Sequence, residues 1–135
     1  MNHSKAEDFD LKKMISDYME GGMLDNIVDM YKHDDTLYAH IGDLMKDERM
    51  RVRIGVTALM EILKKEDPEH IRKAMPSVLP LLQDQNSVVR GDAANLLGII
   101  GEKESLPFLE KILDDEDQNV RTIVKESIEE IKSPS

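Results

Sequence analysis

Cysteine is absent from the 135 residues, which removes disulfides, thiolate metal sites and cysteine nucleophiles together. Tryptophan is absent too, and aromatic residues make up only 4% of the chain. What remains is rich in Leu, Ile, Met, Glu and Lys, a profile that favours helices. No stretch approaches the roughly 18 consecutive apolar residues of a membrane span. The opening MNHSKAEDFDLKK has no apolar run of signal-peptide length. Positive charge is in short supply: 18 Lys and Arg face 28 Asp and Glu, for a net charge of −10. An acidic chain repels phosphate backbones, which argues against nucleic acid as a partner. Glycine-rich phosphate loops, nucleophile elbows and paired-carboxylate signatures are also missing. The expectation is a single cytoplasmic domain without a membrane segment, large enough to bury roughly two thirds of its unfolded surface.

What is there is a repeat. Asp84-Gln-Asn-Ser-Val-Val-Arg90 returns as Asp115-Glu-Asp-Gln-Asn-Val-Arg121, and a third copy of the Asp-x5-Arg frame runs from Asp47 to Arg53. A valine precedes each arginine, at Val52, Val89 and Val120. Apolar residues then recur at +3, +7 and +10 after the arginine: Val56, Met60, Leu63; Ala93, Leu97, Ile100; Val124, Ile128, Ile131. That spacing is one face of an α-helix. The arginines stand 37 and 31 residues apart, so each unit is a helix pair and the first junction carries six extra residues. In the middle unit Asn86 or Ser87 caps the second helix, Gly101 ends it, and Ser105 with Pro107 starts the next pair. Gly91 and Gly98 lie inside that helix, where they signal close packing.

The stretch VVRGDAANLLGIIGEKESLPFLEKILDDEDQNVR resembles the short HEAT-like repeats of the phycobilin-lyase type, with their VR, alanine pair, LG and terminal G. Residues 84–121 match closely and residues 41–65 weakly, with Val56-Thr57 in place of the alanine pair. The resemblance implies an all-α solenoid of helix pairs, about eight helices in all. It also implies that Asp47, Arg53, Asp84, Arg90, Asp115 and Arg121 form a structural ladder, for which bidentate guanidinium–carboxylate pairing is well suited. HEAT-repeat hydroxylases bind iron through His-Glu dipeptides; here only the reversed Glu69-His70 occurs, and no metal or other cofactor is expected. Lyases are the other enzyme precedent, but the matching residues are scaffold positions and no catalytic residue carries over.

Outside the repeats, Phe9, Leu11, Met14, Ile15, Tyr18 and Met19 share a helical face that Gly21-Gly22 ends, and Leu24, Ile27, Val28 and Tyr31 share a second. The division expected is an N-terminal capping helix pair over 1–36, three HEAT-like pairs over 37–132, and a disordered tail at 133–135. His33 and His40 stand seven apart, but Asp34-Asp35 starts a new helix between them. Asp114–Asp117 lacks the glycine and spaced ligands of a calcium loop, and reads as a solvated turn. The bases Arg49, Arg51, Arg53, Lys64, Lys65 and Arg72 are interleaved with acids, a poor nucleic-acid face. Eight of nine methionines fall in the first 60 residues, where gap-filling in the core is the plain reading.

A solenoid offers a concave surface lined by its second helices. Positions +2, +5 and +8 point outward: Asp92, Asn95 and Gly98 in one unit, Ile123, Glu126 and Glu129 in the next. Asp92, Asn95, Glu126 and Glu129 are therefore the candidate partner-binding residues, on an acidic strip with a shallow groove at Gly98 that suits a basic segment of another protein. The function expected is a non-enzymatic scaffold or adaptor, monomeric or weakly dimeric. An accessory, lyase-like enzyme subunit is the alternative.

Overall fold

The structure is a computed structural model that describes residues 5–133, with side chains described from Asp10 onward. The side chain of Phe9, and the whole of His3 and of Pro134-Ser135, lie outside it. Eight α-helices and no strand occur among the described residues: α1 Lys5–Glu20, α2 Leu24–His33, α3 Ile41–Met45, α4 Met50–Glu66, α5 Met75–Val78, α6 Ser87–Ile100, α7 Leu106–Glu110 and α8 Gln118–Lys132. The all-α solenoid expected from the repeat is what the chain forms.

The long helices α4, α6 and α8 are the second members of the three pairs. The first members are shorter and mixed in kind. Asp35–His40 is a 3-10 segment leading into α3; Ile71–Ala74 and Leu79–Gln83 flank α5; Lys103–Ser105 precedes α7. Pro76, Pro80 and Pro107 sit in the opening turns of α5, Leu79–Gln83 and α7. Each proline lacks an N–H and blocks an i−4 bond, so a continuous helix cannot run through these segments. One helix per repeat is thus regular and the other a chain of short turns.

The caps follow the sequence. Asn86 accepts the Val88 amide at 2.9 Å, and Gly101 takes the left-handed φ of 79° that ends α6. Asp117 accepts the amides of Asn119 and Val120 to start α8. Ser105 does not cap α7: its side chain is buried and its Oγ lies 3.2 Å from the Met75 sulfur. Ser133 closes α8 by donating its amide to Glu129.

Buried apolar residues from every pair join one cluster. All the +3, +7 and +10 residues of α4, α6 and α8 belong to it. Helices α1 and α2 both pack against α4, sending Ile15, Met19, Ile27 and Tyr31 inward. Methionine fills the core only in part: Met19, Met45 and Met60 are buried there, whereas Met14, Met23 and Met50 are exposed.

Helices α4, α6 and α8 run parallel. A Cβ added at Gly91 would press on Ile123 and one at Gly98 on Ser127, so α6 and α8 advance together. Lys64, near the end of α4, donates to the Ile100 carbonyl at the end of α6 at 2.8 Å.

Candidate functional site

The three Asp-x5-Arg frames build one device three times. Each aspartate accepts the amide two residues on, Asp47 from Arg49, Asp84 from Asn86 and Asp115 from Asp117, each at 2.9 Å. Each arginine then donates to its own aspartate's backbone carbonyl: Arg53 to Asp47 at 2.7 Å, Arg90 to Asp84 at 2.8 Å, Arg121 to Asp115 at 2.6 Å. The turn between the two helices is thereby held from both sides.

Bidentate pairing with the aspartate of the same or the next unit was the expectation for the ladder, and among the six ladder residues it occurs once, between two units. Arg90 holds Asp115 of the following unit through Nε at 2.9 Å and Nη2 at 3.0 Å. Both side chains are buried, with 9% and 8% of their surface exposed. The Arg90 guanidinium draws the Asp115 carboxyl below the usual carboxylate range, against the effect of burial. Asp115 is therefore no solvated turn acid. At the first junction no such rung forms: Arg53 reaches only the carbonyls of Asp47 and Glu48, and Asp84 faces Lys46 at 3.7 Å. The six extra residues there change the offset between units. In their place Arg49 ties Asp47 to Asp17 of α1, at 3.0 Å on each side.

Two histidines, His33 and His70, hold structure. His33 Nδ1 lies 2.7 Å from the Asp29 carbonyl, within α2. His40 ends the 3-10 segment Asp35–His40, off the helix that holds His33. His70 is bound: its Nδ1 lies 2.7 Å from Asp67, whose other oxygen accepts the Tyr38 hydroxyl at 2.8 Å. Burial, with the Asp67 carboxylate, pushes the Tyr38 phenol up, so it stays a donor. Among the described residues no three His, Asp or Glu side chains are placed to hold a metal ion.

A groove of about 1060 Å³ runs along the open face of α4, α6 and α8. Asp92, Asn95 and Glu126 line it together, with Ile99 and Ile123 between them. Two sequence expectations need correction. Gly98 lines the groove but does not turn outward; it is buried, with Ser127 of α8 packed beside it. Glu129 does not share the strip; it borders a smaller hollow with Leu113 and Lys125. Both follow from the stacking. A middle helix has a neighbour on each flank, so the +8 flank of α6 is covered by α8, while the same flank of α8 faces the end of the stack.

The sequence reading missed the groove's cations. Lys64 and Lys65 from α4, Lys103 from the next turn and Lys132 from α8 converge at one end. Only the tertiary structure brings residues so far apart in sequence together. Glu61 and Glu130 line the groove just before them along α4 and α8. Asp92 is half-buried and has no hydrogen-bond or ion-pair partner among the described residues. Desolvation pushes its carboxyl up, and nearby Arg53 only partly offsets this.

No described helix is long and apolar enough to cross a membrane, and no curated protein matches the chain. The pattern of HEAT repeats matches residues 39–129, more than half of the chain. With its stacked helix pairs and their repeated turn device, the chain belongs to the HEAT repeat family.

Proposed function

We propose that the chain is a non-enzymatic protein-binding scaffold whose concave groove receives a basic segment of another protein. The observation that carries this reading is Asp92: a half-buried, unpartnered carboxylate, facing the groove beside Glu126. A carboxylate held partly out of water with only Arg53 nearby and no paired cation is unfavourable in the free chain, and a partner's lysine or arginine relieves it. The groove is open and its walls are charged, whereas an enzyme pocket encloses its ligand in apolar walls around a few converging polar groups. That contrast favours a scaffold over the accessory, lyase-like subunit that the repeat subtype brings to mind. In the same reading residues 1–36 cap the stack of 37–132, which the packing of both α1 and α2 on α4 supports.

Glu129 supplies an internal control, since it carries the same charge on the same helix outside the groove. A partner captured from the native host is titrated across a salt series. Asp92→Ala and Glu126→Ala are expected to weaken binding and flatten its salt dependence, and Glu129→Ala to change neither. Identical behaviour of all three variants and the parent chain would remove the groove from consideration.

A further inference from the structure

We propose that this groove is banded, and that it selects an extended partner segment with apolar, then basic, then acidic residues, in that order along the helix axes. The inference rests on the concave-groove reading and adds to it the pattern that the groove recognises.

The first band is apolar and lies just outside the groove's lining, where the same faces of α4 and α6 continue toward their N-termini. Met50, Ile54 and Val88 are the three most exposed large apolar side chains of the described chain, at 64%, 61% and 56%. Single exposed apolar residues are ordinary on any surface. These three share the opening turns of two adjacent parallel helices, α4 and α6. Helical spacing sets them on the groove's own stripes: Val88, Asp92, Asn95 and Ile99 succeed one another at i, i+4, i+7 and i+11, as Ile54, Glu61 and Lys65 do at i, i+7 and i+11.

The second band is anionic, with Asp92 and Glu126 at mid-groove and Glu61 and Glu130 beyond them. The third is cationic, at the C-terminal ends of the helices. Lysines there ordinarily compensate the helix dipole, and Lys64 does so by holding the Ile100 carbonyl. Lys103 lies past the end of α6, beyond the reach of that explanation. Lys65, Lys103 and Lys132 make no ion pair among the described residues and are exposed.

Because α4, α6 and α8 are parallel, the bands run across the stack and the sequence of bands runs along the helices. At about 1.5 Å per residue, Met50 to Lys65 spans about 22 Å, which an extended chain covers in about seven residues at roughly 3.3 Å each. A segment lying along the helices meets all three bands, and one crossing them meets a single band. Misordered charges are rejected as well as unmatched, since a glutamate at mid-groove meets Asp92 and Glu126.

Two fluorescent nine-residue peptides of one composition test the order: three leucines, three arginines and three glutamates, against the same blocks with glutamates in the centre. Anisotropy titration of the full chain is expected to show the arginine-centred peptide binding at least about tenfold tighter. Asp92→Lys should abolish that preference, with circular dichroism confirming the fold. Should that variant misfold, Asp92→Asn should still reduce the preference. Equal affinities, no binding of either peptide, or a preference untouched by Asp92→Asn would overturn the banded groove. The concave-groove reading itself is decided separately, by the captured partner and the Asp92, Glu126 and Glu129 variants.

Discussion

Asp92 is the residue at which stability and binding pull apart. Most charged groups of this chain are paired or well solvated, but Asp92 is held half out of water on the open face of α6. Its carboxyl is raised by desolvation. A carboxylate with a folded-state pKa above its unfolded value destabilises the fold at neutral pH, where both states are ionised, and the cost is relieved as the pH falls through the folded value. Asp92→Asn, which removes the charge and keeps the shape, should therefore raise the melting temperature at pH 7 while weakening partner binding. Such opposition marks a residue kept for function rather than for folding. Calorimetry of the variant beside the parent decides it: an unchanged or lower melting temperature would place Asp92 among ordinary surface acids.

At the level of elements, the unit of construction is the turn between the two helices of a pair. Its aspartate holds the amide two residues on, and its arginine holds the aspartate's carbonyl. Three copies of that local device do not contribute equally, because only Arg90 also bridges to the next unit. Arg90→Ala strands a buried Asp115 carboxylate together with the carbonyls of Asp84 and Gln85, and should cost about 3 kcal/mol. Arg53→Ala loses only bonds to backbone carbonyls and should cost about 1 kcal/mol. Urea midpoints of the two variants measure the difference. Equal losses would mean that the inter-unit bridge adds nothing beyond the turn.

The whole molecule is held, within turns and helices as well as across units, by aspartates whose pKa values are depressed. The Arg90 hydrogen bond lowers Asp115, the Arg49 hydrogen bond lowers Asp47, Lys13 and Arg49 lower Asp17, and Lys73 lowers Asp35. A carboxyl depressed in the folded state contributes stability that is present above its unfolded pKa, about 3.9. That contribution is lost as the pH falls through the folded value. Melting temperature should hold from neutrality to about pH 4 and then decline steadily toward pH 2. Asp92 works in the opposite direction but is outnumbered. A melting temperature that stayed level or rose between pH 4 and pH 2 would show that these ion pairs, several of them exposed, do not secure the stack.

Sequence alone determined whatever depends on neighbours along the chain. Helical period placed the residues at +3, +7 and +10 in the core, and Asn86 and Gly101 set the ends of α6, because caps and periodicity are properties of one helix. The recurring Asp-x5-Arg frame announced the turn for the same reason: its hydrogen bonds close within six residues. Tertiary structure alone decided what depends on the neighbouring helix. Gly98 and Glu129 occupy the same +8 position, yet one is packed against α8 on the groove floor and the other faces the end of the stack, since the covered arc depends on where the next unit lies. Arg90 finds a carboxylate across the junction and Arg53 does not, because the six extra residues shift the offset between units. The groove's cations come from α4, the turn after α6 and α8, segments whose meeting is fixed by the packing of three parallel helices and by no spacing within any one of them.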